Sequence, residues 1–173
     1  MLTTFLLDRS GSMESCWDDV IGGFNAFVKG QDPESTLTLI QFDHEYKVVY
    51  ENLKMSEVPA LTRESYKPRG STALLDALGK TLKTSTEPGI FAIFTDGLEN
   101  ASKTYTKAHL KDLVEQKTKD GWTFVYMGAN QDAFAEAGAI GISPALTMNY
   151  ETSNTAEAML RLSQTVSSAG SAV

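Results

Sequence analysis

Apolar and polar positions follow two rhythms along this chain. Short runs of apolar or β-branched residues occur at Thr3 to Leu7, Thr36 to Phe42, Ile90 to Thr95 and Trp122 to Gly128. Such unbroken runs suit strands covered on both faces. Tyr46 to Tyr50 and Ala145 to Tyr150 add two more strands, the latter at an edge. Elsewhere apolar residues recur every three or four positions. Met13, Cys16, Trp17, Val20, Ile21, Phe24, Phe27 and Val28 predict a helix from Met13 to Lys29, ended by Gly30 and Pro33. Further helices are expected at Thr72 to Thr84, Lys107 to Lys119, Gln131 to Ala137 and Thr155 to Ser167. The polar stretch from Glu51 to Arg69 reads as loop, with one short helix near Glu57 to Leu61.

The order of these elements predicts a doubly wound α/β fold with helices on both faces of a mostly parallel six-stranded sheet. Only Asp43-His44-Glu45 joins the second run to the third. So short a link cannot cross over a sheet, so the third strand is expected as an antiparallel edge. One domain is expected over residues 1–167, with a frayed tail of small residues at 168–173.

Composition narrows the class. A formal net charge of −7 opposes binding to phosphate backbones, so no nucleic-acid partner is expected. A single cysteine, Cys16, rules out an intrachain disulfide and reads as core on its helix. No apolar run reaches the roughly 20 residues of a membrane span. Leu2 to Leu7 is too short for an export leader, so a cytoplasmic location with no membrane partner is expected.

Three segments gather at the ends of expected strands: Asp8-Arg9-Ser10-Gly11-Ser12, Gly70-Ser71-Thr72 and Thr95-Asp96-Gly97. In an open parallel sheet the crevice beyond the strand carboxyl ends is where ligands bind. The side chains on offer are two carboxylates (Asp8, Asp96) and three hydroxyls (Ser10, Ser12, Thr72), with no His or Cys beside them. Hard oxygen donors suit Mg²⁺, or Mn²⁺ or Ca²⁺, rather than zinc or copper. Three hydroxyls, two acids and some water fill most of an octahedron, so an acidic residue from a partner would complete the site.

These segments resemble the von Willebrand factor A domain family. Asp8-Arg9-Ser10-Gly11-Ser12-Met13 matches its Asp-x-Ser-x-Ser signature. Gly70-Ser71-Thr72 is similar to its Gly-Gly-Thr segment, with Ser71 in place of a glycine, and Phe94-Thr95-Asp96-Gly97 matches its strand-end motif. The resemblance implies a Rossmann-like fold and an intact metal-ion-dependent adhesion site (MIDAS). In it Ser10, Ser12 and Thr72 would ligate directly or nearly so, and Asp8 and Asp96 would act mainly through water. It also implies a last helix that shifts to tune affinity. For a member inside the cell, it implies partners such as AAA-type ATPases or other parts of multiprotein assemblies. Another copy of the chain could equally supply the acid.

Simpler readings stand beside these. Asp8, Ser12 or Thr72 could merely cap helices. Arg9 reads as a solvated side chain or as a contact for the incoming carboxylate, and Glu99 and Asn100 as loop residues or as part of the partner surface. His44 and His109 read as exposed. An enzyme is not expected. The alternatives are a self-assembling structural subunit and a metal-dependent phosphohydrolase on a Rossmann-like sheet. Such hydrolases usually carry a second acid two residues after the first, where Ser10 stands, and neither a P-loop nor a dinucleotide fingerprint is present.

Overall fold

The structure is a computed structural model that describes residues 2–95, 101–129 and 133–171. Its sheet has six strands in the order β3-β2-β1-β4-β5-β6. These are β1 (Leu2–Asp8), β2 (Thr36–Phe42), β3 (Tyr46–Lys54), β4 (Ile90–Thr95), β5 (Thr123–Ala129) and β6 (Thr147–Tyr150). Only β3 runs antiparallel to its neighbour; the other pairings are parallel. The helices are α1 (Trp17–Lys29), α2 (Leu74–Thr84), α3 (Lys107–Lys119), α4 (Ala133–Ala139) and α5 (Thr155–Ser171).

Two separate cores explain why the strand runs are apolar throughout. Phe5 and Leu7 face α1 and α5, packing with Phe24, Phe27, Met159 and Leu162. Leu6, between them, faces the other way and packs with Leu78 of α2, Leu110 of α3 and Ala137 of α4. Alternate residues of one strand therefore feed opposite cores, and no position on β1 beyond its first is left for a solvated side chain. Phe5 meets Phe24 and Phe27 edge-on, with ring centroids 5.3 and 5.1 Å apart.

Several boundaries differ from expectation. The first helix does not run unbroken from Met13. Gly11–Cys16 is a 3₁₀ helix, and α1 begins only at Trp17. Met13 and Cys16 are both buried at a spacing of three, which suits a 3₁₀ turn as well as an α-helix over so short a stretch. The polar stretch after β3 carries a 3₁₀ turn at Met55–Glu57 rather than a helix near Glu57 to Leu61. At the other end, α5 runs to Ser171, four residues past the expected helix end at Ser167. Ser167 helps to hold it there, its hydroxyl lying 3.3 Å from the Gly30 carbonyl and 3.2 Å from the Gln31 side chain.

The topology fixes where a site can form. From β1 the chain moves outward to β2; from β4 it moves in the opposite direction to β5. The carboxyl ends of β1 and β4 therefore flank the switch point of the sheet, where connecting segments diverge and leave a crevice.

Candidate metal centre

Asp8 is the last residue of β1, and Thr95 is the last of β4. The register pairs Leu7 with Phe94, which brings the two strand ends side by side. Asp8 is fully buried. Its carboxylate accepts from the Ser10 amide at 2.6 Å on one oxygen and from the Thr95 hydroxyl at 2.6 Å on the other. Its carbonyl accepts from the phenol of Tyr66, also fully buried, at 2.6 Å. The Ser10 and Thr95 bonds, one to each oxygen, fix the aim of the buried carboxylate.

The turn that follows carries the two serines. Their hydroxyl oxygens lie 3.1 Å apart. Ser10 is buried at 2% exposure, whereas Ser12 is exposed, so the pair runs from the floor of the site to its rim. Thr72, at 3% exposure, arrives from the segment before α2. That segment is pinned to the serine turn by backbone bonds: Gly11 N donates to Gly70 O at 2.9 Å and Arg69 N donates to Arg9 O at 2.7 Å. Gly70 sits at φ +70°, and a Cβ there would run into the His44 imidazole.

The residues that precede the 3₁₀ turn, α1 and α2 are Ser10, Cys16 and Ala73, and none of the three makes a side-chain capping bond. None of Asp8, Ser12 and Thr72 stands at those three capping positions.

Arg9 departs from the solvated reading. It is only 9% exposed, and its Nε donates to Asp43 Oδ2 at 3.0 Å. Its burial follows from that acid, which stands just past the end of β2. His44 is half-exposed beside Asp43 and Glu45, His109 stacks on Tyr105, and Cys16 is a buried core thiol.

Asp96, Glu99 and Asn100 lie outside the described residues. Their described flanks both reach the site: Thr95 bonds to Asp8, and Ala101 N donates to Thr72 O at 3.0 Å. Just beyond, the Asp76 carboxylate accepts from the amides of Lys103, Thr104 and Tyr105 at 2.8, 3.0 and 2.9 Å. Burial alone would raise the Asp76 pKa, but these amides and the Lys103 charge together hold it below its ordinary value.

Sequence reasoning passed over Asp43, Tyr66, Thr95, Arg69 and Asp76. Asp43 had a usable signal, since it follows a parallel strand as Asp8 ends one. Tyr66 and Asp76 had none, because their roles depend on a loop path and a helix start that patterning does not resolve. Among the described residues, no group of three or more His, Cys, Asp and Glu side chains is arranged to hold a metal ion. The donors gathered here are hydroxyls beside one carboxylate.

A mostly parallel doubly wound sheet with a hydroxyl-rich crevice at its switch point defines an α/β domain of the Rossmann-like class. A family model, von Willebrand factor type A domain, matches residues 3–99, more than half of the chain, and the chain belongs to that family. No curated protein matches. Among solved structures, proximal thread matrix protein 1 from the mussel byssus, with its MIDAS motif occupied by zinc, superposes with a TM-score of 0.68 at 14% identity. That match covers 95% of this chain and 45% of that one, so this chain spans less than half of the byssus protein's length. The vWF domain of the type V pili tip protein Mfa5 from Porphyromonas gingivalis gives 0.72 at 13% identity, over 95% and 94% of the two chains. BatB from Bacteroides thetaiotaomicron gives 0.69 at 13% identity, over 99% of each. At these identities the likeness is one of fold.

Proposed function

We propose that this chain is a divalent-cation-dependent protein-interaction module, with Ser10, Ser12 and Thr72 holding Mg²⁺ (or Mn²⁺ or Ca²⁺) and Asp8 and Asp96 supporting it. One observation carries the reading: the Ser10 and Ser12 hydroxyl oxygens converge at 3.1 Å in the turn that follows β1. Metal–oxygen bonds of about 2.1 Å place adjacent ligands of an octahedron about 3 Å apart, so the pair fits one edge of such a shell. The donor set is all oxygen, as a hard cation requires. Asp96 is one Cα step, about 3.8 Å, beyond Thr95, which is bonded to Asp8.

When bound, the cation would act as a Lewis acid toward a carboxylate. The residues of the chain do the rest. Asp8, its oxygens engaged by Ser10 and Thr95, supplies charge and fixes the turn rather than offering a bare ligand. Ser12, on the exposed rim, marks the side from which a partner's Asp or Glu would approach. Arg9, Glu99 and Asn100 are proposed to line that approach. Among the described residues the site pairs hydroxyls with a carboxylate already engaged by hydrogen bonds, which favours capture of a partner over chemistry on it.

The setting proposed is a cytoplasmic multiprotein assembly, with an AAA-type ATPase or a second copy of the chain supplying the acid. Affinity capture from the native cell, with and without EDTA, tests the reading. The partner should elute with EDTA and should not be retained by Asp8→Ala protein. A partner retained through both chelation and that substitution contradicts it.

A further inference from the structure

We propose that Asp43 is a positioning residue for the metal site, holding the Thr72 segment in register with the Ser10–Ser12 turn; this rests on the metal-holding reading above. Asp43 is fully buried just past the carboxyl end of β2 and is not itself one of the candidate ligands. It joins the loops that carry them. Its Oδ2 accepts from Arg9 Nε at 3.0 Å and from Arg69 Nε at 2.8 Å. Its Oδ1 accepts from the Glu45 amide at 2.6 Å. Its carbonyl accepts from the amide of Ala73, the residue after Thr72, at 2.8 Å. One buried acid thus ties together the turn after β1, the β2–β3 connection and the segment leading into α2.

The chemistry explains why the hub is an acid. A guanidinium as poorly exposed as Arg9 needs a counter-charge, and Arg69 brings a second cation to the same crevice. The bond to Asp43 raises the Arg69 pKa above its already high ordinary value. Unopposed, two fixed cations beside the serine turn would repel a dication. Opposed by Asp43, with Glu45 3.2 Å from Arg69 as a further acid, they become struts. Asp43→Asn keeps the shape, removes the charge and frees both arginines.

The test is Mn²⁺ affinity by calorimetry, with amide exchange of the metal-free protein in EDTA as a readout that needs no metal. Asp43→Asn is expected to weaken Mn²⁺ binding by about tenfold or more, the usual scale for residues that support ligands. In EDTA the Ala73 and Gly11 amides should exchange about tenfold faster, while the Tyr105 amide, held by Asp76, does not change. Arg69→Gln, at a side chain half-exposed in the wild type, removes one strut without emptying the core, and should weaken Mn²⁺ in the same direction even if Asp43→Asn fails to fold. Leu110→Ala, in the core beneath α3, lowers stability and should leave Mn²⁺ affinity unchanged, which separates positioning from general destabilisation. Wild-type Mn²⁺ affinity in Arg69→Gln and in any folded Asp43→Asn protein overturns the role of Asp43 alone. Wild-type protein that binds no Mn²⁺ overturns the metal reading, and with it any role of Asp43 toward a cation.

Discussion

Gly70 shows how tightly single positions are constrained near the site. Its φ of +70° lies in the left-handed region, its carbonyl accepts from Gly11, and His44 occupies the space a side chain would need. Gly70→Ala should cost about 1–2 kcal/mol, read as a lower midpoint in urea, because an L-residue is strained there; an unchanged midpoint would show that the turn relaxes freely. Asp76 gives a pH-dependent counterpart. Its folded pKa lies below the ordinary 3.8, so it stabilises fully above that value and the effect is lost as pH falls through the lowered one. Asp76→Asn should therefore cost about 2 kcal/mol at neutral pH, the scale for hydrogen bonds to a charged group. The gap to wild type should close in urea titrations run progressively below about pH 4. The candidate ligands Asp8, Ser10, Ser12 and Thr72 were legible in the sequence because each sits in a short motif at an element boundary. Asp43, Tyr66 and Asp76 act through partners 26 to 58 residues away, and no local pattern records such pairings.

Among the elements, α1 and α5 illustrate how neighbouring glycines differ. A Cβ on Gly23 would meet Met159 Cβ at 2.7 Å, whereas Gly22, next to it, has nothing within 4 Å. Gly22→Ala should raise stability by about 0.5–1 kcal/mol through helix propensity. Gly23→Val should lower it by about 1–3 kcal/mol by overpacking the contact between the two helices. Paired urea melts would show opposite shifts, and shifts of the same sign would refute the packing described here. The strands β1, β2, β4 and β5 were legible because burial on both faces leaves an unbroken apolar run. The break between the 3₁₀ turn and α1 was not, since spacings of three and four both fit Met13, Cys16 and Trp17. Loop paths were the least legible. The segment over 61–69 is held by Arg63, which donates twice to Asp18 at 2.8 Å and lies 4.3 Å from the Trp17 ring, and by Trp17 Nε1 bonding to Tyr66 O at 2.8 Å. Those contacts set the height of Tyr66 beneath Asp8.

At the level of the entire fold, the sheet order does what no single motif could. By reversing its winding between β1 and β4, it opens a crevice where Asp8 and Thr95 end their strands and into which Thr72 is pinned from a third direction. Family membership follows from the matched sequence model and agrees with that topology. A chain of net charge −7 that gathers hydroxyls around a buried, hydrogen-bonded carboxylate is well placed to take up a cation. The claim that a hard cation sits on the serine turn is tested most directly by isothermal titration of Mg²⁺ into wild-type and Ser12→Ala protein. Ser12 is exposed, so its loss spares the fold. The account predicts one Mg²⁺ per chain for wild type and binding at least about tenfold weaker for Ser12→Ala. Absence of Mg²⁺ binding to the wild type, or equal affinity in the two proteins, would contradict it.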